Sequence, residues 1–190
     1  FFSISFQVSA QWFWQNPYPT GNNLSSVHFI DNQTGWTVGA YGTILKTTDG
    51  GTNWTLIGPG GSASFNPPGQ QGTYDICVGA LPTDPDVIYF GGQLSMWKYT
   101  PTLGWFSVSN WLGEFFDPDI YIHADMHAIE FNPFNPSEMY VGCDGGLFRS
   151  GNADDIYPIF SDVNRNFNVT QFYSVAAAAT GEVIGGTQDN

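Results

Sequence analysis

Positive charge is nearly absent from this chain: four Lys and Arg stand against seventeen Asp and Glu, for a formal charge of −13. Binding to phosphate backbones needs clustered Lys and Arg, so nucleic acid and anionic membrane surfaces are excluded as partners. Cysteine is equally scarce. Cys77 and Cys143 define no disulfide framework and fall on different repeats, so two buried free thiols are expected. Away from the first residues no apolar run approaches the length of a membrane span, and no membrane insertion is expected. Lys and Glu, the usual surface residues of helices, are few, which disfavours an α-helical protein.

Aromatic and turn-forming residues fill the space instead. Phe, Trp and Tyr make up 17% of the chain, with 23 Gly and 12 Pro, a mixture that reads as many short strands joined by tight turns. Three of the four cations recur at one repeat position. Lys46, Lys98 and Arg149 each lie seven residues after a glycine (Gly39, Gly91 and Gly142), in steps of 52 and 51 residues. An aromatic follows each glycine at fifteen residues: Trp54, Phe106 and Tyr157. A period near 50 with strand-like content predicts an all-β protein, a β-propeller of four-stranded blades. The blades are expected at about 24–58, 74–110 and 127–162, with an incomplete one at 171–190, so 11–190 reads as a partial propeller of about three and a half blades. Propellers close with about four to eight blades, so further blades and modules are expected beyond Asn190. Pro82 and Pro85, matched 51 residues later by Pro133 and Pro136, are expected to end one strand and turn the chain into the next.

The segment 1–10 reads as the end of a secretory signal peptide. Phe1 to Phe6 is apolar and Val8-Ser9-Ala10 is a small-residue cleavage site, which makes the protein secreted or displayed at the cell surface. Glycosylation sequons occur at Asn23, Asn32, Asn53 and Asn168.

The most specific local motif is Thr47-Thr48-Asp49-Gly50-Gly51-Thr52-Asn53-Trp54, of the form S/T-x-D-x-G-x-x-W. In such an Asp box Asp49 accepts backbone N–H bonds across a hairpin turn, a glycine such as Gly51 supplies positive φ, and Trp54 packs between blades. A degenerate copy carries Ser150 and Asn152, and only a turn from Thr100 to Trp105 survives in the second unit. These residues are structural rather than catalytic. With Gly35-Trp36-Thr37-Val38-Gly39, the motif resembles repeats of photosystem assembly factor-like propellers and of secreted bacterial Asp-box (BNR-type) proteins. Residues 74–190 resemble sortilin-like and xyloglucanase-type glycoside hydrolase propellers, through Pro82-Thr83-Asp84-Pro85-Asp86, the run from Tyr140 to Ser150 and Gly185-Gly186-Thr187-Gln188-Asp189-Asn190. The resemblance implies the propeller fold; it spans hydrolases, receptors and assembly factors, so it leaves the function open.

On such a fold the loops between second and third strands and the segments leading into each first strand open on one face. Asp144, Gln188 and Asp189 belong to the former; Asp75, Glu114, Asp117, Asp119, Tyr121, His123, Asp125 and His127 belong to the latter. His123-Ala124-Asp125-Met126-His127 is the densest cluster. In an extended segment its two imidazoles and its carboxylate share a face, which suits a metal, a catalytic carboxyl, or plain loop hydrogen bonding. No clear third strong ligand accompanies the set, and neither metal nor cofactor is expected. Asp125 and Asp144 are the candidate catalytic carboxylates, since glycoside hydrolysis needs two such groups about 5–10 Å apart. His123, His127, Gln188, Asp189 and Trp111 are the candidate ligand-binding residues, with Trp105, Trp111, Phe115 and Phe116 available to stack on sugar rings. The expected function is extracellular recognition or scaffolding, with a polysaccharide or an extracellular protein as partner. The alternatives are a glycoside hydrolase acting on β-glucan or xyloglucan, and a protein assembly factor.

Overall fold

The computed structural model describes residues 19–57, 69–166, 172–177, 180 and 183–187. The segment 1–10, Gln188 and Asp189 lie outside the described residues, so the structure does not bear on the signal peptide or on those two site candidates. The described chain forms three four-stranded antiparallel sheets and the hairpin of a fourth. The first holds β1 (Leu24–Phe29), β2 (Gly35–Gly39), β3 (Thr43–Thr47) and β4 (Thr55–Leu56) in sequential order. The second holds β5 (Cys77–Leu81), β6 (Asp84–Gly91), β7 (Met96–Thr100) and β8 (Gly104–Ser107). A single helical turn, α1 (Gly113–Phe116), precedes the third sheet: β9 (Met126–Asn132), β10 (Asn135–Cys143), β11 (Gly146–Ser150) and β12 (Phe160–Asp162). Then β13 (Phe172–Ala177) pairs with β14 (Val183–Thr187). Four-stranded meanders repeated in this way are the blades of a β-propeller.

The side-chain period of two explains why the second sheet is the best buried. Alternate residues of β5 and β6 point to opposite faces. Ile76, Val78, Ala80, Ile88 and Phe90 pack towards the first sheet with Trp36, Val38 and Ile44. Cys77, Leu81, Val87 and Tyr89 pack towards the third sheet with Met126, Ile129, Met139 and Val141. The core is therefore two seams between sheets rather than one centre. The approach of β5 to β9 is close: a Cβ on Gly79 would lie 2.7 Å from Ile129 Cγ2. Both cysteines are free thiols; Cys77 is buried and Cys143 only partly so.

The repeated cations work at these seams. Each sits opposite an aromatic residue of its neighbouring strand: Lys46 pairs in register with Trp36, Lys98 with Tyr89, and Arg149 with Tyr140. Lys46 Nζ lies 5.3 Å from the Trp36 ring centre and Lys98 Nζ 5.0 Å from that of Tyr89, within cation–π range. Their heads then reach the next sheet. Lys46 pairs with Asp86. Lys98 donates to the carbonyls of Ala153 (2.9 Å) and Asp155, and the Tyr89 hydroxyl donates to Ala153 as well. Burial lowers the Lys98 pKa to about 8, against the opposing pull of Asp154 and Asp155. Arg149 differs: it pairs with Glu138 inside its own sheet.

One expectation is corrected. Pro85 and Pro136 do not sit between strands; they lie inside β6 and β10. Each occupies a stretch where the ladder register is irregular, between Leu81↔Asp84 and Ala80↔Ile88 and between Asn135↔Asn132 and Met139↔Phe131. A missing N–H costs nothing where no ladder bond is made. Trp54 meets Phe29 of its own sheet edge-on at 6.1 Å. At the same repeat position Tyr157 meets Phe106 of the second sheet at 5.9 Å.

The hairpin turns follow the residue chemistry. Thr47 Oγ1 accepts from the Gly51 amide (3.0 Å), and Asp49 accepts from the Asn53 amide (2.8 Å) and from Asn53 Nδ2 (2.7 Å). Gly50 and Gly51 take φ of 71° and 89°, the region that favours glycine. In the third sheet Asn152 replaces the aspartate: it accepts from the Ser150 hydroxyl (3.0 Å) and from the Ile159 amide (2.9 Å).

The staples differ in burial, and that sets their contribution. Lys98→Met should lower unfolding free energy by about 1–3 kcal/mol, because two inward-facing carbonyls lose a donor. Lys46→Met breaks a partly exposed ion pair and should cost about 0–1 kcal/mol. Denaturant unfolding of both variants measures the contrast; equal losses would contradict it.

Candidate functional site

The site lies where the second and third sheets meet. Three chain segments converge there through backbone hydrogen bonds. The Asp125 amide donates to the Gln93 carbonyl (2.8 Å) and the Met126 amide to that of Gly92 (3.2 Å), tying the lead-in to β9 to the β6–β7 loop. From the other side the Asp144 amide, in the β10–β11 loop, donates to the Asp125 carbonyl (3.2 Å). Asp125 is held at φ 61°, a left-handed conformation that Asp tolerates better than most residues. The expected extended segment is therefore broken at its centre, and His123, Asp125 and His127 do not share a face as a regular strand would place them. His123 Nδ1 turns to within 3.1 Å of the adjacent Ala124 carbonyl, and its ring packs where a side chain on Gly145 would stand. His127 turns the other way. Among the described residues no group of three His, Cys, Asp or Glu side chains is placed to hold a metal ion.

His127 lies between two carboxyl groups. Its Nε2 is 2.8 Å from Asp144 Oδ1 and its Nδ1 is 3.7 Å from Asp75 Oδ1, while the Tyr74 ring meets it edge-on at 5.0 Å. Asp75 is the unusual member. It is fully buried just before β5, and neither carboxyl oxygen receives a hydrogen bond from any described donor. Burial first, and then the charge of Asp125 and a hydrogen bond shared with it, push Asp75 up to about 7; His127 pulls the other way. A buried carboxyl without donors favours its neutral form. Protonated Asp75 becomes the donor, and Asp125 the acceptor beside it. Asp125 also accepts from Gln71 Nε2 (3.3 Å).

Asp125 stands on the wall of a cleft of about 520 Å³ that opens beside this cluster. The remaining walls are Gln71, Gln93, Leu94, Trp111, Glu114, Phe115, Tyr121, His123 and Ala124. One-turn helix α1 presents Glu114 and Phe115. It is set by Asn110, whose side chain accepts from the Leu112 amide (2.9 Å) and whose carbonyl accepts from that of Gly113 (2.9 Å). Trp111 is anchored by its amide to the Leu94 carbonyl (3.1 Å) and leaves 41% of its surface exposed.

Of the residues singled out in the sequence, the structure brings Trp111, His123 and Asp125 to the cleft. His127 and Asp144 stand behind Asp125 and are not on the cleft wall. The second carboxylate on the wall is Glu114, so an Asp125–Asp144 pair across the cleft is not what forms. Gln71, Gln93 and Leu94 carry no motif. Gln93 had a signal nonetheless: it lies two residues after Gly91, as Asp144 lies two after Gly142.

Fold and site together describe a propeller with an aromatic, acid-lined cleft at the seam of two blades. No family model matches the chain, and no curated protein does. Solved structures similar to it include YCF48 bound to D1 peptide, at 18% identity over 88% of this chain and 49% of that one, with a TM-score of 0.49. An ancestral GH74 enzyme is 13% identical over 87% of this chain and 22% of that one (TM-score 0.49), and YCF48 from Cyanidioschyzon merolae is 18% identical over 89% and 51% (TM-score 0.44). The chain thus spans about half the length of the YCF48 structures it matches. Likeness at this level assigns no activity.

The neutral Asp75 has a sign that can be checked. Its folded pKa lies above the unfolded value, so the folded chain holds more protons than the unfolded chain between about pH 4 and 7, and stability at this residue falls as pH rises through that window. Asp75→Asn, which mimics the neutral form, should raise stability at pH 8 by on the order of 1 kcal/mol or more, roughly 2–4 °C in Tm for a chain of this size. The gain should vanish near pH 4. A constant difference at every pH would contradict the assignment.

Proposed function

We propose that this chain is a recognition propeller that binds an extracellular ligand in the cleft between the second and third sheets. The observation that carries the reading is the composition of that cleft: three aromatic rings, two amides and two carboxylates around about 520 Å³, a volume that suits a small ligand or one unit of a larger one. Aromatic walls with a few placed polar groups bind by stacking and orient by hydrogen bonding. The small-residue site at Val8-Ser9-Ala10 supports a secreted protein. The ligand is a segment of polysaccharide or of an extracellular protein.

Glycoside hydrolysis is a second reading, and one observation favours it: Glu114 and Asp125 line the same cleft. Asp75, the carboxyl with the raised pKa, is sealed from solvent and does not reach a substrate. The recognition reading therefore has the stronger support.

Binding and reducing-sugar release should be measured together on the full-length secreted protein, across panels of plant and microbial polysaccharides and of peptides. Recognition predicts a bound ligand without turnover, and a loss of roughly fivefold in affinity, about 1 kcal/mol, on Trp111→Ala. Sugar release abolished by Glu114→Gln or Asp125→Asn would establish the hydrolase instead. Binding that ignores Trp111 would remove the cleft from the account.

A further inference from the structure

We infer that the cleft takes a cationic group, the arginine side chain of a peptide segment. The inference rests on the recognition reading above and names its ligand class.

Charge gives the first argument. The cleft wall carries two carboxylates, Glu114 and Asp125, and neither Lys nor Arg. Asp144 stands behind Asp125 and adds a third carboxylate near that wall, whereas the buried Asp75 is held neutral. Three of the chain's four Lys and Arg residues are engaged elsewhere. Lys46 is paired with Asp86, Lys98 is bound to the carbonyls of Ala153 and Asp155, and Arg149 is paired with Glu138. A cationic ligand would supply the positive charge that the cleft wall does not take from any Lys or Arg.

Shape gives the second. Trp111, Phe115 and Tyr121 offer ring faces and edges on the same cavity as the carboxylates. A planar guanidinium stacks on an aromatic face while its N–H groups donate in plane to carboxylate and amide oxygens, and Gln71 and Gln93 add such oxygens. A neutral sugar uses the rings equally well but leaves the charge of Glu114 uncompensated. An ammonium group supplies the charge without the plane.

The test is calorimetric titration of the full chain with three probes: an arginine hexapeptide, the same peptide with citrulline in place of arginine, and cellohexaose. Citrulline keeps the size and plane of arginine and removes the charge. The arginine peptide should bind, the citrulline peptide at least about tenfold more weakly, and Glu114→Gln and Trp111→Ala should each cost the arginine peptide about five- to tenfold. Glu130→Gln removes an exposed carboxylate outside the cleft and should leave the affinity unchanged. Equal weakening by Glu130→Gln would mean general attraction to an acidic protein and would overturn the inference. Citrulline peptide or cellohexaose binding as tightly as the arginine peptide, with dependence on Trp111, would overturn the cationic ligand and leave the recognition cleft standing. No binding of any probe would overturn the cationic ligand, and a Trp111-independent ligand from the wider panel would overturn the cleft itself.

Discussion

Everything at the candidate site depends on how the second sheet is held against the third. That seam has two layers. Apolar side chains of β5 and β6 interlock with β9 and β10, with Tyr89, Met126, Met139 and Val141 wholly buried. Across one end, Lys98 and the Tyr89 hydroxyl close on the backbone of the third sheet at Ala153. A buried ammonium is costly unless every donor finds an acceptor, and here two carbonyls and an aromatic face supply what water would have supplied. The same repeat position at the first seam, Lys46, uses an exposed carboxylate instead. One repeat residue thus serves a loose joint and a tight one.

The tight joint is what allows a carboxyl group to be shut inside. Asp75 lies two residues before the first strand of the second sheet, close to the lead-in to β9. The backbone bonds from Asp125 to Gln93 and from Asp144 to Asp125 fix that lead-in from both sides. Asp75 then has another acid, Asp125, beside it and His127 at 3.7 Å. Such an arrangement is stable when the inner carboxyl is neutral and shares its proton with the outer one. Asp75 sits beside Asp125, which is one of the residues on the cleft wall.

The fold was legible in the sequence because it repeats. Glycines, cations and aromatics at constant offsets give the period near 50, and the continuous apolar runs of 76–81 and 87–90 mark strands buried on both faces. The site was legible only in part. Trp111 and Asp125 stand out as residue types in a polar insertion, and Gln93 shares the offset of Asp144. The burial of Asp75 has no local signature: it follows from residues about 50 positions away in the chain. The left-handed turn at Asp125 is set by hydrogen bonds from two other loops, so a strand-like alternation of His123, Asp125 and His127 pointed to a shared face that does not form. Pro85 and Pro136 misled for a similar reason, because whether a strand tolerates proline depends on its partner's register and not on its own residues.

The central claim is that Asp75 is held neutral against Asp125 at the seam of two blades. Carbon-13 NMR titration of the aspartate carboxyl groups, with Asp75 assigned by comparison with Asp75→Asn, tests it most directly. The account predicts a midpoint for Asp75 near 7, well above the ordinary carboxylate range. An Asp75 transition in the ordinary carboxylate range would contradict it.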